Sequence, residues 1–212
     1  MNTKNCEKIQ TTRAGARYGI KTLARVGILS ALAFVFMLVE FPLPLMPPWL
    51  KIDLGDIPAL LGSFAIGPVA GVVIEFIKNL LFMIVKNSGT GGVGEMANFL
   101  LGVALVVPAG IIYRRNHCRA GALKGMLVGL VSFTLVGAAL NYFVLLPLYM
   151  SFAPNLLDGL AGITPWIHDR FTYVLYGATP FNIIKGIVVM IITYVVYKPI
   201  SGFLSSGDKR RA

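Results

Sequence analysis

Apolar positions along this chain run in long unbroken stretches rather than in alternation, and four of the stretches have helix length: roughly 22–42, 95–113, 121–147 and 179–200. Each is close to the ~20 residues that carry a helix across a bilayer. A fifth stretch, "IPALLGSFAIGPVAGVVIEFIKNLLFMIVK" (57–86), would make about 45 Å of helix and is interrupted at Gly67-Pro68. It predicts one tilted helix or two shorter ones. The connections are then 43–56, 87–94 and a long 148–178, whose "SFAPNLLDGLAGITPWIHDRFTYVLYG" exceeds what a connector needs and reads as a lid or short interfacial helix.

Composition turns these stretches into membrane spans: 56% of the residues are hydrophobic, 13% are charged and the mean hydropathy is +0.76. The net charge of +10 does not indicate nucleic acid, because the basic residues flank the apolar runs instead of forming an aromatic-interleaved stripe. They decide the topology. Lys4, Lys8, Arg13, Arg17, Lys21 and Arg25 place the N-terminus in the cytoplasm. Splitting 57–86 at Gly67-Pro68 puts Arg114, Arg115, Arg119 and Lys124 on the same side, together with Lys198, Lys209, Arg210 and Arg211. The expected fold class is therefore an all-α integral membrane protein with six transmembrane helices, cytoplasmic N- and C-termini and a short second helix, about 57–66. Such a helix must be packed inside the bundle for its ends to be satisfied. The expected divisions are a basic segment 1–21, one transmembrane domain 22–203 and a basic tail 204–212. The start mimics a signal peptide, but "EFPLPLMPP" after the run Val26 to Val39 offers no small-residue cleavage site, so the first span is read as retained. Cys6 and Cys118 indicate neither a disulfide framework nor a metal pair, and fit a reduced setting.

The topology gives each polar residue in a span a depth. At 1.5 Å per residue from the outer helix ends, Asn182 and Lys185 lie roughly 5 and 9 Å deep, Asn141 about 9 Å, and Lys78 and Asn79 about 11 Å. Asn98 lies within about two turns of its helix start. A charged side chain facing lipid costs on the order of 2 to 3 kcal/mol, so these groups point inward. Glu75 and Lys78 would also satisfy each other as a plain ion pair, and asparagines bind helices together. Their convergence at one level favours a pocket open to the outside. Amides that both donate and accept, beside one or two charges, suit a flat heteroaromatic ligand better than an ion, with Tyr142 and Phe181 placed to stack on a ring.

Other motifs carry less. "GTGGVG" (89–94) has the letters of a dinucleotide fingerprint but follows a membrane helix and lacks the preceding strand. No P-loop occurs, so any ATP hydrolysis belongs to partners. No nucleophile-base pair or metal-ligand cluster appears in the spans, which argues against an enzyme and against a metal, and His168-Asp169 reads as a solvated pair. Gly27 and Ala31 make a small-xxx-small pattern that lets another helix approach closely.

"WLKIDLGDIPALLGSFAIGPVAGVVIEFIKNLL" (49–81), "LNYFVLLPLY" (140–149) and "TPFNIIKG" (179–186) together resemble the riboflavin-specific substrate-binding subunits (S components) of energy-coupling factor (ECF) vitamin transporters. The resemblance implies a six-helix subunit that binds riboflavin, or its phosphate flavin mononucleotide, as transported ligand and uses no cofactor. It implies ligand contacts from Asn141, Asn182 and Lys185, a lining or capping loop at Leu50, Lys51 and Asp53, and a supporting role for Glu75, Lys78 and Asn79, while Asn98 joins the expected site by its depth. Gly27-x-x-x-Ala31 resembles the family's docking motif for a transmembrane coupling subunit, which works with two ATPase subunits; here glycine replaces the first alanine. The competing reading is a stand-alone secondary transporter of a small heteroaromatic metabolite, for which the spans supply only Glu75 as an ion-coupling carboxylate.

Overall fold

The computed structural model describes residues 19–205 except 45, 48–49, 87–90, 153–156, 158 and 161–165, with side chains described as far as Tyr197. Its elements are α1 (Ile20–Leu38), β1 (Glu40–Pro42), β2 (Lys51–Asp53), α2 (Asp56–Ala65), α3 (Pro68–Val85), α4 (Val93–Arg115), α5 (Arg119–Leu140), α6 (Leu146–Phe152), α7 (Arg170–Tyr173) and α8 (Thr179–Ser205). Among the described residues, five helices are long and apolar enough to cross a membrane, and α2 is a sixth, shorter apolar helix. The basic tails and Cys6 lie outside the described residues. No cysteine within them is free, which corrects the expectation of an unpaired Cys118.

The long apolar stretch does break at Gly67-Pro68. Gly67 takes φ 135°, a conformation that L side chains rarely adopt, and Pro68 opens α3, where its missing N–H leaves no bond unmade. The ten residues of α2 span only about 15 Å. Ile57 to Phe64 are all buried, because α1, α3, α4 and α8 enclose this helix. A short helix at the centre has a consequence at its start: the carboxylates there, Asp53 just before it and Asp56 at its first residue, are drawn into the bundle instead of ending at its surface.

Two boundaries differ from expectation. α1 stops at Leu38 rather than near 42, since Pro42 cannot be preceded by continuing helix, and residues 40–42 pair instead with 51–53 in an antiparallel ladder, Glu40 opposite Asp53 and Pro42 opposite Lys51. The expected loop 43–56 thus contains β2. The 148–178 connector is also shorter than expected. α5 passes through a π-helical turn (Asn141–Leu145) into α6, ending at Phe152, and the last helix begins at Arg170 and passes through a second π turn (Val174–Ala178) into α8. Asp169 starts α7 with a capping box, and the Thr172 hydroxyl and amide hold its carboxyl below the usual range. Each π turn directly precedes a proline-bearing turn, at Pro147 and Pro180. A proline leaves a carbonyl one turn earlier without its donor, and the i to i−5 bonds from Leu146 to Asn141 and from Thr179 to Val174 let the helix continue. Within "GTGGVG", Gly91 and Gly92 have positive φ and lead into α4.

Elsewhere small residues set the helix spacing. A Cβ on Gly125 of α5 would lie 2.6 Å from the Ala109 carbonyl oxygen of α4, a backbone atom with no freedom to yield. Gly125→Ala is therefore expected to destabilise the bundle by about 1–3 kcal/mol, seen as a lower thermal midpoint in detergent with the helical signal retained.

Candidate functional site

At the end of the bundle where α1 and α3 finish and α4 begins lies a cavity of about 410 Å³. The hairpin supplies its rim, with Glu40, Lys51 and Asp53; α4 supplies Glu95 and Asn98; the first π turn supplies Asn141, and α8 supplies Phe181, Asn182 and Lys185. Met37, Phe82, Leu101 and Phe133 make the apolar wall. The π turns bring the amides here. Asn141 opens the first one, its Nδ2 donating to the Gly137 carbonyl at 2.8 Å while its Oδ1 accepts from the buried Tyr173 hydroxyl at 3.3 Å. Asn182 follows the second, and its Nδ2 is buried with no hydrogen-bond partner. Gly137 leaves room for that amide, which a Cβ there, 2.2 Å away, would force to shift.

The lysine in the last span is held by carboxylates. Lys185 Nζ is 2.7 Å from Asp53 Oδ2, 3.4 Å from Asp56 Oδ2 and 3.4 Å from Asn98 Oδ1. Behind the wall Lys78 Nζ lies 2.5 Å from Asp56 Oδ1 and 2.6 Å from Glu75 Oε2, with neither side chain of the Glu75 pair exposed at all. Asn79 joins Glu75 to Asn98, accepting from Asn98 at 3.1 Å and donating to the Glu75 carbonyl at 2.8 Å. At the rim, by contrast, Lys51 and Lys86 share one oxygen of Glu40, at 3.0 and 2.6 Å. Against the upward push of partial burial, Lys86 and Lys51 hold that carboxyl below its usual range.

Of the residues singled out in the sequence, Leu50, Lys51, Asp53, Asn98, Asn141, Asn182 and Lys185 come together on the cavity wall. Glu75, Lys78 and Asn79 do not line it and form the ion network behind it. Phe181 lines the cavity, whereas Tyr142 faces away, 38% exposed. Sequence reasoning passed over Asp56, Glu95 and the apolar wall. Asp56 and Glu95 both had a usable sign, a carboxylate at the start of an apolar stretch. Gly27 and Ala31 are exposed on α1, and a Cβ on Gly27 would meet nothing within 4 Å. Among the described residues no group of His, Cys, Asp and Glu is arranged to hold a metal ion.

The family model "ECF transporter, substrate-specific component" matches residues 21–197. This chain belongs to that family. Riboflavin transporter RibU of Staphylococcus aureus (strain TCH60) is 38% identical over 184 residues, covering 87% of this chain and 92% of the relative. Riboflavin transporter FmnP of Bacillus subtilis (strain 168) is 36% identical over 181 residues, 84% of this chain and 90% of the relative. A solved structure titled "Structure and mechanism of the S component of a bacterial ECF transporter" superimposes with a TM-score of 0.69 at 37% identity, over 87% of this chain and 97% of the other. This S component is a multi-pass protein of the bacterial cell membrane.

Removing the cavity lysine strands a buried carboxylate. Lys185→Met is expected to lower stability by about 3 kcal/mol in detergent, and adding Asp53→Asn is expected to recover most of it, because the uncompensated charge leaves with its partner. Additive losses in denaturant titrations would show that the pair is not coupled.

Proposed function

We propose that this S component captures riboflavin from outside the cell with high affinity and releases it inward when a transmembrane coupling subunit and two ATPase subunits act on it. The observation that carries the reading is the unpartnered amide nitrogen of Asn182 on a cavity lining that also holds Asn98, Asn141, Lys185 and three phenylalanines. The polar edge of a flavin ring alternates carbonyl acceptors with an N–H donor, which amides match in either sense, while its faces are apolar. A volume of about 410 Å³ falls in the range of sites that enclose a small organic ligand. The two relatives named as riboflavin transporters support the same ligand.

Orientation follows from charge. Lys21, Arg25, Arg114, Arg115, Arg119 and Lys124 all belong to helix ends remote from the cavity, and none of the described carboxylates is there. With that end in the cytoplasm, the cavity opens outward, α2 counts as a sixth helix and both tails are cytoplasmic. Gly27 and Ala31 on the open face of α1 are the docking surface for the coupling subunit, where small residues let a second helix come close.

Purified protein is expected to be yellow or to quench riboflavin fluorescence stoichiometrically, and a colourless chain indifferent to riboflavin rejects the reading. Asn141→Ala and Lys185→Met should each weaken binding by about 1.5 kcal/mol, roughly tenfold, in the same titration. Gly27→Leu with Ala31→Leu should leave that affinity unchanged while abolishing co-purification with the coupling subunit; retained assembly would move docking to another face.

A further inference from the structure

Lys185 is the cation on the ligand side of a network of five buried ionisable groups, and the group standing between it and the interior is Asp56. That residue does not line the cavity and is 1% exposed. Its Oδ1 takes the short 2.5 Å bond from Lys78, and its Oδ2 faces Lys185 at 3.4 Å without the alignment of a hydrogen bond and accepts from no other group. Four elements converge on it. Asp56 begins α2, Lys78 belongs to α3, Lys185 to α8, and Asp53 closes β2 with its other oxygen tied to the Gly55 amide at 2.9 Å. Gly55 allows this corner to exist: a Cβ there would be 2.9 Å from both the Ala33 carbonyl oxygen of α1 and the Lys78 side chain.

Charge counting leaves one carboxylate surplus to neutrality, and either Asp56 or Glu75 can be that one. Written fully ionised, the network holds Lys78 and Lys185 against Asp53, Asp56 and Glu75, a net −1. Without the Asp56 charge, Lys78 would keep Glu75 at 2.6 Å and Lys185 would keep Asp53 at 2.7 Å, a balanced set. Pairing alone therefore does not require this carboxylate. Its distinctive feature is location: with Asp53 it brackets the Lys185 ammonium from two sides, and only one of those sides belongs to the rim hairpin. Asp53 alone would tie the ammonium to a two-stranded rim, whereas Asp56 ties it to the enclosed helix at the centre of the bundle.

We infer that Asp56, fixed from behind by Lys78, is a positioning residue for ligand binding, which holds the Lys185 ammonium at the cavity wall. This rests on the flavin reading of the cavity. The residue touches no ligand, so its effect passes entirely through Lys185.

The test is a double-mutant cycle on the full chain in detergent, titrated with riboflavin and paired with thermal unfolding. Asp56→Asn, whose network is formally neutral, should keep a thermal midpoint close to that of the unaltered chain yet lose about tenfold in affinity. In a Lys185→Met background the same change should alter affinity by less than about twofold. Unaltered affinity in Asp56→Asn, or an equal loss in both backgrounds, overturns the inference. Should Asp56→Asn not survive purification, Asp56→Ser carries the same comparison. Failure of the unaltered chain to bind riboflavin at all would instead reject the flavin reading, a result separate from either of these.

Discussion

A charge inside a membrane protein must find an opposite charge, and in this chain that constraint ties the centre of the bundle to its binding cavity. Lys78 and Lys185 sit on long, mostly apolar helices, and neither can face lipid at acceptable free energy. Their carboxylate partners come from the start of α2, the end of β2 and the neighbouring turn of α3. The two lysines thus dictate where the polar entrance to α2 must lie. Because α2 is short and enclosed, that entrance can reach them, and a full-length helix would have carried Asp53 and Asp56 beyond the interior.

The same economy of backbone shapes the cavity wall. Two prolines near the ends of long helices would ordinarily break them. Here each is absorbed by a π turn, and the widened turns present Asn141 and precede Asn182. One amide is fixed by Gly137 and Tyr173, while the other is left without a partner. The wall therefore holds one satisfied amide beside one donor that lacks an acceptor. Met37, Phe82, Leu101, Phe133 and Phe181 supply the apolar part of the enclosure.

The two ends of the bundle do different work. The cavity end carries the described carboxylates that pair, the hairpin rim and the shared Glu40; the opposite end carries arginines and lysines alone. Between them α1 exposes the small residues Gly27 and Ala31, with none of the described residues within 4 Å of a Cβ built on Gly27. The cavity and the small-residue strip are thus separated on the surface, while α2, held against α1 on one side and through Asp56 against Lys185 on the other, lies between both.

Much of this was legible in the residues. Long apolar runs can only be helices in a bilayer, Gly67-Pro68 can only be a break, and asparagines and lysines in such runs must turn inward, so the short buried α2 and the gathering of Asn98, Asn141, Asn182 and Lys185 followed from local chemistry. The hairpin did not, because a three-residue ladder has too little pattern to rise above its prolines. Nor did the π turns, which depend on a carbonyl's search for a donor one residue further along. The division between Asp53, which lines the cavity, and Glu75, Lys78 and Asn79, which stand behind it, was invisible as well. Depth along a helix is linear in sequence, but the facing of a side chain toward cavity or core depends on helix rotation and on which neighbour crosses at that level, and only tertiary packing decides that.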